Sequence, residues 1–136
     1  MRTRTGGAHL ELTPDIALKL LHDGNARFQS NVKINRDLLE EVNGSADGQY
    51  PFAVILSCID SRTSVELIFD QGLGDVFSIR IAGNVLNDDI LGSMEFACKL
   101  AGSRLIVVMG HSACVAVRGA CEGAELGHLS GLLRKM

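Results

Sequence analysis

The sequence has no basic excess. Its 13 Lys and Arg are outnumbered by 16 Asp and Glu, giving a net charge of −3 and a pI of about 5.7. That balance offers no electropositive footprint, which argues against nucleic acid as a partner. Long apolar runs are missing too. FAVIL (52–56) and LIVVM (105–109) fall far short of the roughly 20 residues that cross a bilayer, so no membrane span is expected. The opening MRTRTGGAHLEL carries charge but no apolar h-region, so no secretory signal is expected and a cytoplasmic location is. No fixed-period repeat is present. There are four cysteines, Cys58, Cys98, Cys114 and Cys121. Without a secretory signal they read as reduced thiols, some of them metal ligands, rather than two disulfides.

What is present suits one domain over 1–136, long enough for a core without staples. Thr13 and Pro14 mark the N-cap and first turn of a helix over 12–31, with Ile16, Leu20 and Phe28 at helical spacing and Gly24 as a weak point. Residues 34–51 read as a short helix and a loop. FAVILSC (52–58) reads as a strand buried on both faces, as in a parallel sheet. TSVELIFDQGLGD (63–75) opens with Thr63 and Glu66, a capping-box pattern, and predicts a helix. VFSIRIAG (76–83) is a second strand, 87–103 a helix closing at Gly102, and RLIVVMG (104–110) a third buried strand. Helices are predicted again over 112–123 and in the apolar-periodic tail 126–136. This βαβαβα order after helical leaders predicts an α/β fold, with a central, mostly parallel sheet flanked by helices.

Two strands end in polar clusters containing cysteine: SCIDSR and GHSAC. In open α/β sheets, ligands sit beyond the carboxyl ends of strands. Cys58 alone fits a small buried hydrophobe as well as a ligand, and His111-x-x-Cys114 alone is a weak motif. Together they can supply a Cys₂His set with one open position, the catalytic zinc pattern, although periodicity does not show that the two strands adjoin. Asp60 and Arg62, two apart on an extended segment, would point the same way and form a carboxylate–guanidinium pair. Cys98 reads as core packing and Cys121 as structural. His9 falls in the N-terminal leader, and His22 and His128 read as surface residues.

CIDSR followed about fifty residues later by GHSAC resembles the β-class carbonic anhydrases, with their C-x-D-x-R and H-x-x-C motifs. The resemblance continues through GNARF (24–28), FSIRIAGN (77–84) and GSMEFAC (92–98), and so covers nearly the whole chain. It implies reversible hydration of carbon dioxide to bicarbonate by zinc-bound hydroxide. Cys58, His111 and Cys114 would be the Zn²⁺ ligands and Asp60 with Arg62 the catalytic dyad. Asp60 could also become a fourth metal ligand in a closed state. Gln49 matches a glutamine that helps hold bicarbonate in plant-type members. A homodimer or higher homo-oligomer is implied, and a rise of activity toward alkaline pH.

Two departures stand out. The family normally has glycine after the second cysteine ligand, where this chain has Val115. Family members also continue through a further helix and a final strand, whereas this sequence stops at Met136. The resemblance thus implies a domain lacking the family's C-terminal elements. Two alternatives accompany it: a zinc-binding chain with weak or no turnover, and hydrolysis of CS₂ or COS at the same site.

Overall fold

Thr13 caps the first helix, α1 (Pro14–Gln29), by accepting the Ile16 N–H on Oγ1 at 3.3 Å. The computed structural model describes residues 12–136, so His9 lies outside the described residues. Helix α2 (Leu38–Gly44) is capped by Asp37, whose carboxylate accepts the Glu40 N–H at 3.0 Å. A loop then leads into strand β1 (Ala53–Ser57). Helix α3 (Val65–Ile68), β2 (Val76–Arg80), a 3₁₀ turn (Ala82–Asn84) and α4 (Asp88–Glu95) follow. A π-helical turn (Phe96–Leu100), β3 (Leu105–Met109), α5 (Val115–Cys121) and α6 (Gly127–Leu133) complete the order.

The three strands pair in parallel, in the order β2-β1-β3. Every residue of the central strand is buried, which explains its unbroken apolar run. Its side chains alternate between two cores. Ala53 and Ile55 join Ala17 and Leu21 of α1, with Phe52 and Val65. Val54 and Leu56 join Met94 and Ala97, with Cys98 packed beside them as expected. Fully burying a residue such as Ile55 or Leu56 is worth about 1.5–3 kcal/mol, so β1 anchors both layers.

The structure corrects several expectations. Strand β3 is not buried on both faces. It flanks β1 on one side, and Ile106 and Val108 are exposed. On α1, Ile16 and Phe28 face water, Leu20 is partly buried, and the core face is Ala17, Leu21 and Gly24. Gly24 is a contact point: a Cβ there would lie 1.7 Å from the Phe69 carbonyl oxygen. Only glycine lets α1 approach the end of α3 so closely. The capping box does not form. Ser64 occupies the N-cap of α3 without a side-chain bond, the Thr63 hydroxyl turns back to the Cys58 and Asp60 carbonyls, and Glu66 accepts from Ser78 Oγ. Cys121 is an exposed free thiol rather than a buried structural residue. His22 and His128 are exposed, as expected. Among the described residues, no helix is long and apolar enough to cross a membrane.

Candidate metal centre

Strands β1 and β3 pair directly, with Ser57 opposite Met109, so the polar clusters after them meet. Cys58 follows β1 and is buried, while His111 and Cys114 lie in the turn between β3 and α5. One ligand atom from each of Cys58, His111 and Cys114 lies within 4.8 Å of the others. The two sulfurs are 3.9 Å apart. A disulfide would need about 2.05 Å. Two ligands about 2.3 Å from a tetrahedral centre are separated by about 3.8 Å, so this gap fits two thiolates on one metal.

The imidazole supports the same reading. Its Nδ1 lies 2.9 Å from the Ser112 carbonyl, which can only accept, so Nδ1 carries the proton. Nε2 therefore keeps its lone pair, and it is buried without a hydrogen-bond partner. A buried, unpaired acceptor facing two thiols is what a metal would satisfy. Ala113, between the ligands, has φ +55°. A residue with a Cβ pays about 1 kcal/mol for that conformation, so strain is held in the ligand turn itself.

Burial pushes the Cys58 thiol up. The adjacent His111 ring, the backbone at Asp60 and Gly83 and the Cys114 thiol pull it down more strongly, to about 7. The Gly83 N–H donates to Cys58 Sγ at 3.3 Å from a turn where Gly83 has φ +63°. Cys58 is thus poised to become the thiolate that a metal needs. His111 is raised, chiefly by the Cys58 sulfur beside it.

Asp60 and Arg62 form the expected pair, but in a turn rather than an extended segment. Arg62 Nε and Nη2 donate to Oδ1 and Oδ2 at 2.9 and 2.8 Å. These bonds, the Arg62 backbone N–H and the Arg62 charge hold the Asp60 carboxyl well below the usual carboxylate range, against a smaller opposing effect of burial. Asp60 Oδ2 is 4.0 Å from His111 Nδ1, beside the ligand cluster but outside it.

A cavity of about 460 Å³ opens over the cluster, lined by Cys58, Asp60, His111, Cys114 and Val115 and continuing along α5 and α6. Gln49 is not among its walls. It is exposed on the loop before β1, whereas Cys58 follows the far end of that strand. The sequence reading also passed over Arg80, whose guanidinium reaches the Cys58 and Asp60 carbonyls. The available hint was a cation at the end of an apolar strand.

Residues 53–136 match the carbonic anhydrase family model. Carbonic anhydrase 2 of Mycobacterium tuberculosis is 44% identical over 119 residues, which cover 87% of this chain and 58% of that protein. The carbonic anhydrase of Mycolicibacterium smegmatis is 41% identical over 123 residues, covering 89% and 60%. The chain thus spans less than two thirds of the length of these relatives. Among solved structures, the β-carbonic anhydrase CafA of Aspergillus fumigatus superposes with a TM-score of 0.65 at 28% identity, over 88% of this chain and 56% of that one. Two tetrameric β-carbonic anhydrases come from Sordaria macrospora, and the matched chain gives a TM-score of 0.65 at 25% identity, over 88% and 59%.

Proposed function

Since the chain belongs to the carbonic anhydrase family, we propose that it is a zinc enzyme that interconverts carbon dioxide and bicarbonate. The observation that carries this reading is the convergence of Cys58, His111 and Cys114 beside a fixed Asp60–Arg62 pair. Cys58 Sγ, Cys114 Sγ and His111 Nε2 would hold the ion. A zinc ion bound there supplies a Lewis acid that acidifies water toward neutral pH.

The remaining work falls to the chain's own side chains. Asp60 stays ionised because Arg62 holds it so, which makes it a poor base. Its role is to accept a hydrogen bond from the attacking oxygen and aim the lone pair at carbon dioxide. Arg62 keeps that carboxylate in one orientation. The apolar cavity wall receives the substrate.

The thiols must stay reduced to bind metal, which favours a cytoplasmic setting. The protein acts as a homodimer or larger assembly in this reading. Exposed Leu38 and Leu39 on α2, and exposed Ile106 and Val108 on β3, are surfaces that an assembly would cover. Gln49 reaches substrate only from another copy, because its own site lies at the opposite end of β1.

Stopped-flow carbon dioxide hydration on protein of known zinc content tests the proposal. Turnover should scale with bound zinc, and Cys58→Ser should lose most of the metal and the activity. Full zinc in that variant by elemental analysis would take Cys58 out of the site. A second reading, metal binding with weak turnover, draws on Val115, whose side chain lines the cavity beside Cys114. Full zinc in the unaltered chain with little hydration would favour it.

A further inference from the structure

Once β1 ends, the carbonyls of Cys58 and Asp60 leave the sheet ladder. Backbone pairing between β1 and β2 runs out where the Ile81 N–H meets the Ser57 carbonyl at 3.1 Å. Yet Cys58 carries a candidate ligand and Asp60 the candidate orienting carboxylate, so this short stretch must be held to better than sheet edges allow. The donor that spans it is Arg80. Its Nε donates to the Cys58 carbonyl at 3.1 Å and its Nη2 to the Asp60 carbonyl at 2.6 Å.

Register explains how Arg80 gets there. It is the last residue of β2, opposite Ser57, one position before Cys58. Its head therefore emerges at the carboxyl end of the sheet, alongside the turn. Among the described residues it forms no ion pair with a carboxylate within 4.0 Å, so both of these hydrogen bonds go to carbonyls of the site turn. Thr63 supports the same two acceptors. Its backbone N–H donates to the Asp60 carbonyl at 3.0 Å, and its hydroxyl, 3.3 Å from the Cys58 carbonyl and 2.9 Å from that of Asp60, donates to one of them at a time. Among the described side chains, the planar guanidinium fork of Arg80 is the one that donates to both at once.

We propose that Arg80 is a positioning residue: by clamping the Cys58 and Asp60 carbonyls it sets the thiol toward the metal and the carboxylate toward the substrate. It touches neither. The inference rests on the metal reading above and adds to it a group outside the ligand set and outside the dyad.

The test uses the full chain and its Arg80→Ala, Arg80→Lys and Thr63→Val variants, with Asp70→Asn as a control destabilised away from the site. Dissociation constants for Co²⁺ and Zn²⁺ are measured by chelator competition. The thiolate-to-Co²⁺ charge-transfer band is recorded, and kcat and KM are taken per bound zinc. Arg80→Ala should weaken metal binding about 10–100-fold, the scale of a lost supporting partner, and alter the Co²⁺ band. Its kcat per zinc should fall while KM holds. Arg80→Lys should stay near the alanine value, because a lysine ammonium lacks the rigid fork that places two separate nitrogens on the two carbonyls. Thr63→Val should show a smaller loss in the same direction, and it carries the test if Arg80→Ala does not fold. The control should bind metal normally. Unaltered metal affinity and Co²⁺ band in Arg80→Ala would overturn the proposal. So would full rescue by lysine, or an equal loss in Asp70→Asn. Failure of the unaltered chain to bind Co²⁺ would instead overturn the metal reading itself.

Discussion

Arg62 holds Asp60 with three hydrogen bonds, two from its guanidinium and one from its own backbone N–H at 3.0 Å. The Arg62 side chain is 71% exposed, so the pair adds little to stability. Its consequence is geometric. Three donors from one residue leave the carboxylate a single orientation, with Oδ2 on the side of His111.

Asp60→Asn should therefore keep zinc and fold but lose about 100-fold in turnover, the cost of misplacing a reacting group. An amide places an N–H donor where the proposed mechanism calls for an acceptor. Arg62→Ala should act in the same direction by freeing Asp60. Hydration rates per bound zinc check both, with Tm expected to change little. Undiminished turnover in either variant would remove the pair from the mechanism.

Much of this site could be read along the chain because it follows strand ends. FAVILS announces a strand buried on both faces, and Cys58 is the first residue after it. His111 and Cys114 follow β3 in the same way, and parallel pairing brings the two ends together. What stayed hidden depends on tertiary competition. Thr63 and Glu66 have the spacing of a capping box, yet the hydroxyl finds carbonyls of the site turn and the carboxylate finds Ser78. No local pattern reveals those acceptors. The core face of α1 was hidden for a related reason. Large apolar residues suggested Ile16 and Phe28, but close packing selects the small Ala17 and Gly24.

That close packing makes Gly24→Ala a sharp test of the fold. In an open helix alanine would be favoured over glycine by about 1 kcal/mol. Here the new methyl would meet the Phe69 carbonyl at 1.7 Å, and backbone would have to move. The variant should be destabilised by about 1–3 kcal/mol, the usual cost of overpacking. Urea unfolding midpoints give the answer, and a stabilised variant would mean that α1 does not sit against Phe69.

Asp70 should make stability depend on acid. It is buried, accepts from Arg27 Nε and the Ile34 N–H, and its backbone carbonyl accepts from Arg36. Burial pushes its carboxyl up, but Arg27, the Ile34 N–H and the Arg36 charge outweigh that and pull it below the ordinary value. A depressed folded pKa stabilises the protein above the unfolded value of about 3.9, and that contribution is lost as pH falls through the folded value. Asp70→Asn keeps the side-chain shape and tolerates the φ of +44°. It should cost about 1.5–3 kcal/mol at pH 7, the worth of a charged hydrogen bond. The gap to the unaltered chain should close in acid, as measured by urea unfolding at both pH values. A gap independent of pH would assign the loss to shape rather than charge.

Val115 is where this chain parts from the glycine of its family, and the structure sharpens what replacing it should do. The side chain lines the cavity beside Cys114 and is 63% exposed, so little packing would be lost on removal. It is also the first residue of α5, with Cys114 as the N-cap. The penalty of about 1 kcal/mol for glycine over alanine applies to helix interiors and should be smaller at this end. Val115→Gly should therefore fold and bind zinc. If the isopropyl group narrows the approach to the site, the variant should hydrate carbon dioxide several-fold faster per bound zinc, with the gain concentrated in kcat/KM because access to the site is what changes. The rate must be normalised to metal, since a small loss of stability could lower occupancy and conceal the gain. Equal or slower hydration at matched zinc would mean that valine leaves the approach open. The cavity of about 460 Å³ beyond it would then be accessible to substrate as it stands.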